Sequence, residues 1–278
     1  MRGILIRTTL VAGLLLSIAS TPSLASYIEL GSEEFSTLGT AWNPGINTAR
    51  SASGNPAPGG ATWSIMGAGI TDVTGFDSHG GNATTGITGL LAGSTFASMS
   101  TLINDVLNVW ATPSLFTNLG QVTDGGAGLG ASDANSGHLG DIRVGAIFID
   151  GSIGSNVLAH AYNPCTSIFC GTGGSIGGDM HIDNGNSWVD DPFATGSTLD
   201  LYTVILHEFG HSLGLGHSTV VGSVMEPTYA GARRTLHADD IAGIQAVYGV
   251  GAAVPVPAAV WLFGSALGLL GWMRRKAS

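Results

Sequence analysis

The stretch His207-Glu208-Phe209-Gly210-His211-Ser212-Leu213-Gly214-Leu215-Gly216-His217 constrains this 278-residue chain more than any other. On a helix, residues four apart share a face, so the imidazoles of His207 and His211 can reach one cation. Glu208 projects beside them, placed to take a proton from a water on that cation. Gly214 lets the chain leave the helix through a positive-φ conformation that side chains disfavour. The turn that follows brings in His217 as a third ligand. Three neutral imidazoles with an open fourth position describe a catalytic zinc site, where the ion lowers the pKa of a bound water toward about 7. A lone His-Glu-x-x-His is a modest signal. The third histidine at this spacing, with a glycine between, separates it from a helix carrying incidental histidines.

The rest of the chain reads as a mixture of strands and three helices, an α+β pattern. Phe96, Met99, Ile103, Val106, Leu107 and Trp110 recur at three- and four-residue steps and predict a helix over 95–111, ended near Pro113. A second helix is expected at 199–213 and a third at 238–248. Residues 61–66 alternate like a strand, and 141–149 read as a buried one. Shorter strands are expected at 157–162 and 179–182. The span 67–94 reads as a long loop, and 26–60 is polar and rich in Gly, Pro, Asn and Ser, so no structure is assigned to it.

Apolar character is concentrated at the two ends. Mean hydropathy is +0.33, yet charged residues are only 10% of the chain. That is too few for a long coiled coil, and the apolar content argues against charge-driven disorder. Residues 1–25 carry Arg2 and Arg7, an apolar run from Leu10 to Ile18, then Ser23-Leu24-Ala25. This is the plan of a signal peptide cut after Ala25, and it implies export. Residues 251–278 hold Val254-Pro255-Val256-Pro257, an apolar run from Ala258 to Met273, and Arg274-Arg275-Lys276. The run spans only about 24 Å as a helix, marginal for a bilayer.

Between these ends, four arginines face nineteen acidic residues and there is no lysine. A nucleic-acid partner is excluded on charge, and divalent cations suit such a domain. Export permits a disulfide, and Cys165 and Cys170 are expected to close a small loop, since a Cys-x4-Cys metal site lacks two further ligands nearby.

The histidine motif, with Gly214, is the metzincin signature, and its surroundings resemble the matrixin family. Ser218 follows the third histidine, and Ser223-Val224-Met225-Glu226-Pro227-Thr228-Tyr229 is similar to the matrixin Met-turn and the wall segment after it. Asp239 to Gly249 is similar to the family's closing helix. Leu158 to Pro164 and Gly177 to Asp183, with Trp188, resemble its substrate-edge strand and the neighbouring strand. The resemblance covers about 61–249. It implies a metzincin catalytic domain over 61–250, with a mostly parallel mixed twisted sheet, three helices and a Met-turn. It also implies a zinc endopeptidase acting on protein or peptide substrates. On that resemblance His207, His211 and His217 hold the zinc, Glu208 is the general base and Met225 forms the apolar floor. Pro227 and Tyr229 line the pocket for the side chain after the scissile bond, and the strand around Ala159 pairs with an extended peptide.

The C-terminal 25 residues resemble a PEP-CTERM sorting signal, which implies an exosortase-type membrane enzyme as partner and delivery to the cell surface or extracellular matrix. A retained membrane anchor is the alternative. The expected assembly is a monomer.

The sequence departs from the matrixin pattern in three places. His160 and His181 match two ligands of the family's second, structural zinc, but the loop that would supply the others is nearly absent. Asp150 and Asp183 are candidate calcium ligands, although Asn186 stands where the family usually has an acid. No latency segment with a zinc-blocking cysteine is found in 26–60. The alternative from a different class is a surface or matrix adhesion protein that keeps the zinc fold without turnover. Glu208 favours the enzyme, because binding alone needs no base.

Overall fold

A computed structural model describes residues 35–44, 49–52, 55–71, 82–128, 140–150, 157–165 and 176–251. The expected signal peptide, the sorting tail from 252 on, and Cys170 lie outside the described residues. Among the described residues no helix is long and apolar enough to cross a membrane.

Two short strands come first, β1 (Thr40–Trp42) and β2 (Ala49–Ser51), paired antiparallel. Then follow β3 (Gly59–Ile65), α1 (Phe96–Ala111), β4 (Phe116–Gln121), β5 (Ile142–Ile147), β6 (Ala159–Ala161), β7 (Met180–Asp183), β8 (Trp188–Val189) and β9 (Leu199–Asp200). The last described elements are α2 (Leu201–Ser212) and α3 (Ala238–Tyr248). The main sheet has the order β4-β3-β5-β7-β6. Its first four strands are parallel, and β6 runs antiparallel along the edge. With three helices this is the expected α+β architecture.

α1 forms where the three- and four-residue steps place it. Met99, Leu102, Ile103, Val106, Leu107 and Trp110 make one buried stripe. Thr95 and Ser98 cap its start reciprocally, which satisfies amides the first turn leaves open. β3 and β5 are buried along their whole length and carry the centre of the core. The described ends of α2 and α3 agree with expectation to within two residues.

Two expectations needed revision. β4 was not foreseen: it is a half-exposed edge strand interrupted by Gly120 at φ +93°, and it is held by parallel pairing with β3. The polar region before residue 61 also takes structure. Trp42 is buried in the main core, and its indole N–H donates to Ser212 O at 2.9 Å. The packed unit therefore extends upstream of the expected domain start, because contacts too distant in sequence to leave a local pattern organise it.

Candidate metal centre

α2 presents His207 and His211 one turn apart, with ring centroids 4.8 Å from each other. After Ser212 the chain turns at Gly214, whose φ is +100°. An added Cβ there would land on the Thr40 carbonyl, so the position needs glycine for its conformation and for its space. The turn delivers His217, 5.4 Å from His207 and 4.8 Å from His211 between centroids. One ligand nitrogen from each of the three lies within 4.8 Å of the others.

The hydrogen bonds prepare these rings for a cation. His207 Nδ1–H donates to Val224 O at 2.7 Å, and His211 Nδ1–H donates to Leu215 O at 2.8 Å. Each bond leaves the Nε2 lone pair facing the site, the orienting role that carbonyls commonly play behind metal-bound histidines. His211 Nε2 and His217 Nε2 are 3.2 Å apart. Two imidazoles on one tetrahedral zinc, at about 2.0–2.1 Å each, put their nitrogens about 3.3 Å apart. The donor set therefore fits zinc. Burial, with the neighbouring His211, lowers the His207 pKa to about 3, and burial lowers that of His211 to about 4. Both rings are neutral at physiological pH, the form that ligates.

Glu208 is buried beside them, and burial pushes its carboxyl up to about 8. Its Oε2 meets no hydrogen-bond donor. A buried carboxyl without a partner is costly unless an ion or substrate group completes it.

Met225, 2% exposed, follows Val224, whose carbonyl accepts from His207. Helix α2 approaches it through Gly210, where any Cβ would collide with the Met225 sulfur. The Met-turn is held by Asp240, which accepts from the amides of Val224 at 2.8 Å and Met225 at 3.1 Å. Asp239 accepts from Ser218 Oγ at 2.6 Å, tying the residue after the third histidine to the same helix start. Sequence reasoning saw this acidic pair as the beginning of a helix and missed its bracing role.

The triad and Glu208 open into a cleft of about 640 Å³ that Ala159, Pro227 and Tyr229 also line. Ala159 lies on the sheet edge, and the Tyr229 hydroxyl donates to Thr198 O at 2.7 Å. Arg233 borders the cleft, paired with Glu226 at 2.6 Å and bonded to Ser223 O at 2.8 Å. That pair was not anticipated.

The other candidates are placed as follows. His160 and His181 are register partners across β6 and β7, with His160 Nε2 2.9 Å from His181 Nδ1. Among the described residues, the group of three or more metal-ligating side chains close enough to share an ion is the triad alone. Asp183 accepts from the amides of Ile149 and Gly185, both at 3.0 Å, and from the Asn186 side chain at 2.7 Å. Asp150 accepts from the Val157 amide at 3.3 Å. Cys165 is disulfide-bonded.

A two-histidine helix, a glycine turn to a third histidine and a methionine turn bonded to the first histidine define the metzincin class of fold. Comparison with known proteins agrees. Residues 133–249 match the family model of matrixins. It is 36% identical over 159 residues to neutrophil collagenase of Homo sapiens, covering 55% of this chain and 29% of that protein. It is 38% identical over 156 residues to interstitial collagenase of Bos taurus, at the same two coverages. It is 45% identical over 97 residues to matrilysin of Rattus norvegicus, covering 34% of this chain and 32% of that protein. The chain thus spans about a third or less of the length of these relatives.

Proposed function

We propose that the chain is a zinc-dependent endopeptidase that hydrolyses peptide bonds of extracellular or surface proteins. The observation that carries this reading is the buried, unpartnered Glu208 carboxyl opening into the same cleft as three converging imidazoles. A zinc ion held by His207, His211 and His217 would supply Lewis acidity, polarising the scissile carbonyl and making a water more acidic. Burial alone would keep the Glu208 carboxyl protonated near neutral pH, but a dication held by the neighbouring histidines would favour its ionised form, in which Glu208 takes the proton of the attacking water and passes it to the leaving amine. Edge strand β6, at Ala159, pairs with the extended substrate backbone. Pro227 and Tyr229 line the pocket for the side chain that follows the scissile bond, and Met225 supports the histidines from below.

In the same proposal the protein is exported after cleavage behind Ala25. An exosortase-type enzyme sorts it to the cell surface through the C-terminal tail, and it acts as a monomer. A second zinc at His160 and His181, and a calcium ion at Asp150 and Asp183, belong to the proposal as secondary sites. The non-catalytic adhesion reading has no use for Glu208.

One variant separates the two. Glu208→Ala should retain zinc, measured by metal analysis, and lose cleavage of a generic peptide library by at least about a hundredfold. Undiminished cleavage with zinc bound would sink the mechanism.

A further inference from the structure

Residues 36–42 are far from the histidine motif in sequence and close around its exit in space. A helix leaves its last carbonyls without internal donors, and α2 ends where the chain must turn toward His217. Trp42 Nε1–H donates to Ser212 O from 170 residues upstream. The Tyr248 hydroxyl donates to Leu213 O at 3.0 Å and accepts from the Trp42 amide at 3.1 Å. Leu38 N–H donates to Gly214 O at 2.7 Å, and Gly216 N–H donates to Ser36 O at 2.9 Å. Thr37 and Leu215 thereby pair as an antiparallel bridge. Ser36 Oγ then donates to the carbonyl of His217 itself at 2.8 Å, across 181 residues.

Local bonds explain only the first part of this turn. The amides of Gly214 and Leu215 bond back to the carbonyls of His211 and Gly210. Beyond Leu215, the backbone is held by Ser36 on one side and by the Ser218-to-Met225 bond on the other.

We propose that residues 36–42 are a positioning clamp for the third metal ligand, with Ser36 as its terminal contact. The clamp fixes the backbone from Ser212 to His217 and so holds the His217 ring at the spacing from His211 that a shared ion requires. This rests on the reading of the three histidines as a zinc site. Ser36 touches neither ion nor substrate and acts through the His217 carbonyl. A chain cut downstream of Ser36 would keep all three histidines and lose metal affinity.

The test is zinc affinity of the full chain, by competition with a chromophoric chelator, alongside thermal unfolding of the chelator-stripped protein. Ser36→Ala is expected to weaken zinc about tenfold, the size typical of outer-shell contacts. Ser36 is exposed, so the stripped variant should unfold at the wild-type temperature. Ser36→Thr keeps the hydroxyl and should restore affinity to within about twofold. Trp42→Phe, which keeps most of the packing but removes the indole donor, should also weaken zinc. Wild-type affinity in Ser36→Ala overturns the clamp, and so does an equal loss of stability in the stripped protein without rescue by threonine. A wild-type chain that takes up no zinc overturns the site itself, a result distinct from either.

Discussion

Replacing Gly214 with alanine perturbs the turn to His217 in two separable ways. At φ +100° an L side chain crowds its own backbone, at about 1–2 kcal/mol. The new Cβ would also land on the Thr40 carbonyl, a backbone group that cannot rotate aside. Overpacking of that kind costs about 1–3 kcal/mol. Stiffening of the unfolded chain returns about 0.4–1 kcal/mol. The net expectation is a loss of about 1–5 kcal/mol. Gly222 is an internal control, because its φ is +90° but nothing lies within 4 Å of an added Cβ. Gly222→Ala lacks the collision and should therefore lose only about 0–1.6 kcal/mol. Urea unfolding of both chelator-stripped variants, followed by tryptophan fluorescence at unchanged m-value, measures the difference. Zinc competition on the folded variants should show weakening for Gly214→Ala alone. Equal losses for the two alanines would refute the contact with Thr40 and the reasoning built on it.

Other expectations follow from the same bonds. Asp240 accepts from the amides of Val224, Met225 and His237, and Asp240→Asn turns one acceptor oxygen into a donor. A loss of about 2–3 kcal/mol is expected in thermal unfolding, and a wild-type midpoint would show the Met-turn is held otherwise. Burial pushes the Asp124 carboxyl up, but hydrogen bonds from Arg143 and its charge more than offset this and hold it below 3.8. A depressed carboxyl pKa contributes stability above its ordinary value and loses it as pH falls through the folded value. Urea midpoints of the wild type should thus fall more steeply below about pH 4 than those of Asp124→Asn, and parallel curves would argue against the ion pair. Zinc at a hundred times its Kd should stabilise the wild type by about 2.7 kcal/mol. His217→Ala should abolish that gain and leave the metal-free protein near wild-type stability, since His217 is exposed.

The helices were legible because their information is local. The stripe from Met99 to Trp110 and the acidic start of α3 each lie within one element, and the ends of both helices agree with expectation to within a residue. The three histidines, Glu208 and the positive φ at Gly214 were legible for the same reason, because ligand spacing on a helix is a local quantity. What sequence could not supply was the set of partners that hold those residues. β4 alternates only weakly, and its pairing with β3 spans the whole of α1. The strap at 36–42 looks like polar coil because its bonds go to α2's exit and Tyr248, 170 residues or more on. Asp239 and Asp240 were visible as helix-start residues, but the amides they satisfy belong to another turn.

The arginines carry the same lesson into the cleft. A lysine-free segment with four arginines suggests a surface stripped of positive charge. All four instead tie separate segments of the chain together. Arg50 donates to Ala57 O and Val247 O, and Arg143 is buried against Asp124. Arg233 and Arg234 are adjacent and reach in different directions. The first bonds Ser223 O and Glu226 at the Met-turn. The second bonds Asp190 and Asp200, the residue that caps α2, and stacks over Tyr202 at 4.8 Å. The loop from Tyr229 to Leu236 is therefore braced both to the turn beneath the histidines and to the start of the helix that carries two of them. Planar guanidinium groups, with several donors each, suit such bracing better than lysine would. A pocket bounded by a loop pinned at consecutive residues has its width set by those bonds, so substitutions at Arg233 or Arg234 should alter which side chains it admits before they alter metal binding.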